Sequence, residues 1–519
     1  MSRRRWVRLD NASNMFLAAR SEVDPKVFRL GAEMDHEVDP QLLQEALEET
    51  YEKFPLYHAV LRRGVFWYYL QDSELRPTVT EEITAPCAPI YQADRRSLLF
   101  RVMHHRRRIS LEVFHALSDG TGALWFLTDL VTAYTQLRFP PERADPPAAE
   151  ENVSDQIPSG DPASDGAASD EQTASLIDPT LEVSPRDPVA MPDGETAGGE
   201  TASAKPGHDL TTDSFVHYFR RRRRRRADVW EARAAFSQEA EAEPTGVPDG
   251  ALSATDAPGH RTAPNSPARS VHRVRGTRTP DNRTRVVELT MPAKQVLDLA
   301  RAERVALTMY LTAVFFEAVR RSTGDLGRAP TLAASVPVNL RQFFPSTSAR
   351  NFFATTRVEH TFGRGDDALG AISRGLERAF RARATAEELE GKLRRFVRFE
   401  RMPALRVMPR PVKDVILDQV NRASNRGLTL AVSNLGRVVL PEEVAEHVDR
   451  LIFQVSAVRP QFCAISHAGV LTVSFTSPFL ETDHVREFAR ILTAAGVDVT
   501  VVAARVTEQE LADAGEGAR

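Results

Sequence analysis

The sequence predicts an α+β protein: blocks of mixed strands and helices separated by a long polar connection. Three observations carry this expectation. Strand-type alternation and helix-type periodicity occur in both halves, grouped rather than strictly alternating. Their order repeats in kind on either side of residues 141–269. Those intervening residues lack what a core requires, since 141–209 hold 16 acidic and three basic residues and no Phe, Trp or Tyr. Such a segment buries too little apolar surface to offset its ordering entropy, so disorder is expected. A second Pro/Ala/Ser-rich stretch runs to about residue 270. The 390 residues outside 141–269 suffice for packed layers of ordinary domain size. The expected division is 1–140, a largely disordered insertion over 141–269, and 270–519.

Each element has its own warrant. Asp39-Pro40 opens a helix with an N-cap and a proline in the first turn. Leu43, Leu47, Tyr51 and Phe54 fall on one face of that helix. "YHAVLRRGVFWYYLQ" reads as two strands about a turn at Arg63-Gly64. "LLFRVMHH" and "ISLEVFH" form a second hairpin, whose second strand ends at His115. Leu124, Leu127, Val131 and Tyr134 then mark one face of a helix. In the second half, "MPAKQVLDLARAERVALTMYLTAVFFEAVRRSTG" reads as a helix pair, with Thr308 expected to cap the second. "TLAASVPVNLR" is a strand entering a polar loop, and "PVKDVILDQVNRAS" is a helix. "LTLAVSNLG" is a strand expected to end at Asn434 and Gly436. "RLIFQVSAV", "QFCAISHAGVLTVSFT" and a helix from Glu481 to Ala495 close the chain.

The totals exclude several classes. With 67 basic against 71 acidic residues, the whole molecule is no electrostatic binder of nucleic acid. Cys87 and Cys463 alone give neither a disulfide framework nor a metal-ligand set, which points to a reducing, cytoplasmic setting. The remaining histidines are scattered, so no metal is expected. The basic N-terminus lacks the apolar core of a signal peptide. No stretch reaches the roughly 18 uninterrupted apolar residues of a membrane span. The charge is uneven, however: seven arginines run from Arg220 to Arg226, just after Phe215, Tyr218 and Phe219. This segment, 213–236, reads as a short helix docked by its aromatic residues, with a solvated basic end. An anionic surface is the alternative partner for the arginines. No groove-reading or stacking motif accompanies them, so specific nucleic-acid binding is not expected.

The stretch "VFHALSDGTGALWFL" carries the chemistry. An imidazole at a strand end, His115, can take a proton from a hydroxyl near neutral pH if it is held in one orientation. Asp119, four residues on, can order that corner, while Gly120 and Gly122 allow a tight turn and leave room for a substrate. The same residues also read as a plain capped turn, with Ser118 or Asp119 as N-cap. Further along, Ser433, Asn434 and Gly436 can offer hydroxyl, amide and backbone N–H donors to an oxyanion. Asn-x-Gly is equally ordinary turn chemistry. Asn339 and Asn351 have the same two readings.

"FHALSDG" resembles the His-x-x-x-Asp-Gly motif of the chloramphenicol acetyltransferase-like superfamily, which includes peptide-synthetase condensation domains. "SVPVNLRQFFPSTSARNFF" and "AVSNLGRVVLP", in that order, make the chain most similar to the alcohol acetyltransferase family. The resemblance covers roughly residues 10–140 and 270–503 and touches "SFVHYFRRRR". Phe114 stands where many condensation domains carry a further histidine, which favours the alcohol acetyltransferase branch.

The resemblance implies two similar α/β lobes with a tunnel between them and His115 at the junction. It implies His115 as general base and Asp119 as a structural acid paired with an arginine, for which Arg341 is the candidate. Activity is expected to be acyl transfer from a thioester, acyl-CoA as co-substrate, to an alcohol hydroxyl, with no bound cofactor. Two alternatives stand beside it. One is a condensation-type enzyme that esterifies a polyketide or glycolipid from an acyl-carrier-protein thioester. The other is an idle relative that binds a partner through its basic segment.

Overall fold

The computed structural model describes residues 6–9, 11–93, 95–140, 182–183, 213–219, 271–279, 282–327, 330–400 and 408–503. Most of the expected insertion, including Arg220–Arg226, lies outside them.

The first part of the chain runs β1 (Trp6–Arg8), α1 (Asn11–Ala18), β2 (Val27–Met34) and α2 (Pro40–Lys53). It continues through β3 (Ala59–Arg63), β4 (Tyr68–Asp72), β5 (Val79–Glu81), β6 (Phe100–His105), β7 (Arg108–Phe114) and α3 (Gly120–Arg138). Asp39 caps α2 as the sequence suggests, its carboxylate accepting from the Gln41 and Leu42 amides. Two short pieces follow, β8 (Glu182–Val183) and α4 (Ser214–Phe219). Next come β9 (Arg285–Pro292), α5 (Ala293–Ala302), α6 (Leu307–Thr323), β10 (Thr331–Asn339) and β11 (Phe353–Thr361). The helices α7 (Leu369–Arg381), α8 (Ala386–Glu400) and α9 (Arg410–Arg426) lead to β12 (Leu430–Val438) and α10 (Glu442–Ala445). The chain closes with β13 (Val448–Val455), β14 (Gln461–His467), β15 (Val470–Ser477), α11 (Asp483–Ala494) and β16 (Thr500–Ala503).

Two main sheets result. One has the order β13-β2-β7-β6-β5, the other β11-β10-β12-β14-β15-β9-β16. Each backs onto helices and encloses its own apolar core, one centred on β2, β7, α2 and α3, the other on β10, β14, β15 and α6. The sheets do not follow the division of the chain, because β13 pairs antiparallel with β2 along its length. A charged network reinforces this crossing: Arg450 on β13 bonds Glu33 on β2 and pairs with Glu288 on β9. Arg108 on β7 bonds Glu288 from the other side.

Three sequence expectations are corrected. Thr308 is not a cap; α6 begins two residues earlier than such a cap would start it, with Ala306 at the N-cap and its N–H donated to Glu377 at 3.1 Å. The strand containing Asn434 does not stop there, but continues to Val438 across a register shift between Asn434 and Arg437. Gly436 supplies the positive φ, 77°, that this irregularity needs. Gly120 and Gly122 are absent from the positive-φ positions, so neither is required by a turn. Their role is close approach, described below.

Among the described residues no helix is long and apolar enough to cross a membrane. Both cysteines are buried free thiols.

Candidate active site

His115 immediately follows β7, at one end of a central strand. Its backbone is held on both sides. The His115 N–H donates to the carbonyl of Lys26 at 2.8 Å, and its carbonyl accepts from Asn351 Nδ2 at 2.8 Å. The imidazole lies among aromatic rings: Phe16 of α1 stacks on it at 4.0 Å, while Phe28 of β2 at 4.8 Å and Phe353 of β11 at 5.9 Å are tilted to it. Nδ1 is buried without a hydrogen-bond partner among the described residues. Burial pushes the pKa down from 6.5 to about 4, against the opposing pull of the Asp119 carboxylate. The ring is therefore neutral over the whole physiological range, the state a general base requires.

Asp119 performs both of the roles that its sequence position left open. One carboxylate oxygen caps α3, accepting from the Gly122 amide at 2.9 Å. The other accepts from Arg341 Nη1 at 2.8 Å and from the Phe352 amide at 2.8 Å. Arg341 spends its remaining terminal nitrogen on the carbonyls of Ser348 and Arg350, at 2.7 and 2.8 Å. Its guanidinium also lies over the Trp125 ring. The Asp119 and Arg341 side chains are only 6% and 8% exposed, so this is a buried pair.

The loop 339–352 is thus clasped onto the start of α3. Ser118 Oγ donates to the Ala349 carbonyl at 2.6 Å, and Asn339 Nδ2 reaches Thr121 Oγ1 at 3.4 Å while Oδ1 caps the Arg341 amide. Gly122 makes the clasp feasible, because a Cβ there would sit 2.2 Å from the Ala349 carbonyl oxygen. A Cβ on Gly120 would meet Leu435 at 2.8 Å. The room these glycines leave is filled by protein and not by substrate. Gly122→Ala is accordingly expected to destabilise the fold by about 1–3 kcal/mol or more, read as a lowered denaturation midpoint. Behind the clasp sits α4: Phe215 packs edge-on against Phe352 at 5.2 Å and Phe219 against Phe344 at 5.2 Å. The aromatic residues ahead of the arginine run are docked on the body, as the sequence suggests.

The β12 corner meets this assembly through Leu435 against Gly120. Its polar groups are partly committed. Asn434 Nδ2 donates to Thr308 Oγ1 at 2.9 Å and Asn434 Oδ1 accepts from the Gly436 amide at 2.8 Å. Asn339 and Asn434 both line a cavity of about 120 Å³ shared with Thr308, Val338 and Phe380.

Several members of the site escape sequence reasoning. Phe16, Phe28 and Phe353 are ordinary apolar positions until the fold brings them round the imidazole. Asn351, which the sequence offers as an oxyanion donor or a loop tie, holds the backbone carbonyl of His115. Asp35 and His36 meet His447, distant in the sequence, only in three dimensions, with one ligand-type atom each within 4.8 Å of the others. Both histidines direct Nδ1 at the Asp35 carboxylate, at the end of β2 remote from His115.

No family profile and no curated protein matches the chain. Solved structures do. Polyketide synthase associated protein 5 from Mycobacterium tuberculosis is similar with a TM-score of 0.51 at 12% identity, over 94% of this chain and 96% of that one. TRI101 of F. sporotrichioides, solved with coenzyme A and T-2, gives 0.51 at 10% identity, over 94% and 97%. The starter condensation domain of rhizomide synthetase RzmA, a mutant solved with C8-CoA and Leu-SNAC, gives 0.50 at 11% identity, over 94% of each chain. The fold is the two-lobe fold of condensation domains and chloramphenicol acetyltransferase-like proteins.

Proposed function

We propose that the protein is an O-acyltransferase, moving an acyl group from a thioester, acyl-CoA in the first instance, to an alcohol hydroxyl. One observation carries the reading: an imidazole, fixed through its backbone from both sides, stands at a strand end beside a clasp that joins the two halves of the chain. His115 removes the proton as the alcohol oxygen attacks the thioester carbonyl. The tetrahedral intermediate then expels the thiolate, which takes the proton back from the imidazolium. The Gly436 amide is spent on Asn434 Oδ1, which leaves the Ser433 hydroxyl and the second N–H of Asn434 Nδ2 as the donors proposed for the oxyanion. Asp119 and Arg341 act structurally, holding the start of α3 and hence the His115 corner.

The low pKa sets a test. The acid limb of kcat/KM is expected near pH 4, not near the 6.5 of an ordinary histidine. Stability follows the same group. An unfolded histidine binds its proton at higher pH than folded His115 does, so this contribution is intact above about pH 6.5 and is lost progressively toward 4. An acid limb near 6.5 in a folded enzyme contradicts His115 as the base.

A carrier-protein thioester is the second donor to assay, favoured by the likeness to a polyketide synthase associated protein. Comparing free acyl-CoA with a carrier-loaded acyl group separates the two donors.

A further inference from the structure

The proposed reaction leaves one strongly charged cavity unused. The end of α9, the segment 271–279 and the loop after β13 enclose about 460 Å³. Arg273, Arg275, Arg422, Arg426 and Arg459 all line it, and among the described residues no carboxylate does. Among the described residues only Arg422 of these five has an ion pair, with Asp418 one helical turn back. Scattered surface arginines are ordinarily just solvated. These converge from three separate chain segments on one concavity, where charges of one sign focus the field and concentrate anions.

Arg459 strengthens the case. Burial pushes its pKa down to about 10, with only a partial opposing pull from Asp24. A partly buried guanidinium without a bonded counter-ion among the described residues is costly, and a bound anion lowers that cost. Guanidinium groups also present paired donors that match phosphate oxygens. An adjoining cavity of about 490 Å³ shares Arg273, Arg275 and Phe479 but adds Glu481 and Asp483. Anion selectivity is therefore confined to the first cavity.

The elements that wall the cavity connect to the His115 assembly by two routes. Ser456, three residues before Arg459, donates to Asp24 at 2.6 Å and accepts from the Val27 amide at 3.2 Å. Lys26, between them, supplies the carbonyl that holds His115. Separately, α9 packs on α1, which carries Phe16 against the imidazole.

We propose that this cavity is an anion-binding subsite for the phosphate groups of a phosphopantetheine-bearing thioester. The inference rests on the acyl-transfer reading, whose donor must carry such a group whether it is coenzyme A or a carrier-protein arm. The arginines take the charged end of the donor.

Calorimetric titration of the full chain tests this without turnover. The probes are coenzyme A, 3′-phosphoadenosine 5′-phosphate and 4′-phosphopantetheine. Arg426→Gln/Arg459→Gln and the more exposed pair Arg273→Gln/Arg275→Gln are each expected to weaken coenzyme A by about tenfold or more. The exposed pair keeps the test open if loss of Arg459 perturbs folding. Binding to the unaltered chain should also weaken in about 1 M salt, where screening acts over roughly 3 Å. Equal losses for coenzyme A and 4′-phosphopantetheine mean that the subsite reads the phosphate common to a carrier arm. Losses restricted to coenzyme A and the nucleotide mean that it reads the nucleotide phosphates. Both results support an anion subsite. It is overturned if the unaltered chain binds none of the probes, or if both arginine pairs bind them as the unaltered chain does. Arginine-dependent binding in a protein that consumes no thioester strikes the proposed reaction and leaves the subsite standing.

Discussion

The Asp119→Asn variant is expected to lose roughly 3–5 kcal/mol of stability, the cost of leaving one member of a buried ion pair unmatched. Asparagine caps a helix about as well as aspartate, so the bond to the Gly122 amide can survive the change. The second oxygen cannot be replaced. Its position faces two donors, Arg341 Nη1 and the Phe352 amide, and an amide nitrogen there would oppose both. The loss therefore reports the clasp and not the cap. Arg341→Gln should produce a loss of similar size. The double variant should lose much less than the sum, since contacting partners are not additive. Chemical denaturation of the four proteins checks this, and full additivity would separate Arg341 from Asp119. Activity should fall along with stability in both single variants, because the clasp also positions Asn351 on the His115 carbonyl.

His115→Ala should behave in the opposite way. Turnover is expected to drop by roughly 10²- to 10⁴-fold, the usual range for removal of a general base. The fold should persist, because the interactions that hold this corner are made by the backbone N–H and carbonyl of residue 115. A denaturation midpoint measured beside turnover separates chemistry from collapse. Near-normal turnover in a folded His115→Ala protein removes the mechanism.

How much of this was legible beforehand depended on the range over which the signal acts. The α2 cap, the two hairpins of the first half and the α3 face come from neighbouring residues, and they stand where the sequence puts them. Strand β2 carries no such signal, because nearly all of Val27–Met34 is buried on both faces and the alternation that marks a half-exposed strand is missing. Strand β11 does alternate buried and exposed residues, and period-2 counting over "FATTRVEHT" would have found it. At the site, His115, Asp119 and Arg341 were named from a motif and a family resemblance, and the last two do bond. The sequence posed cap and ion pair as alternatives for Asp119, yet a carboxylate has two oxygens and this one serves both. Phe16, Asn351 and the five-arginine cavity depend on contacts between segments distant in the chain, for which local periodicity holds no information.

The most direct test of the account follows product and protein together. The chain is incubated with acetyl-CoA and a panel of primary alcohols, and ester, free coenzyme A and intact protein mass are recorded by mass spectrometry. The account predicts that ester and coenzyme A appear in equal amounts, that both require the alcohol and His115, and that the protein mass never changes. Coenzyme A released without ester, an acyl group retained on the protein, or equal ester formation by His115→Ala would contradict it.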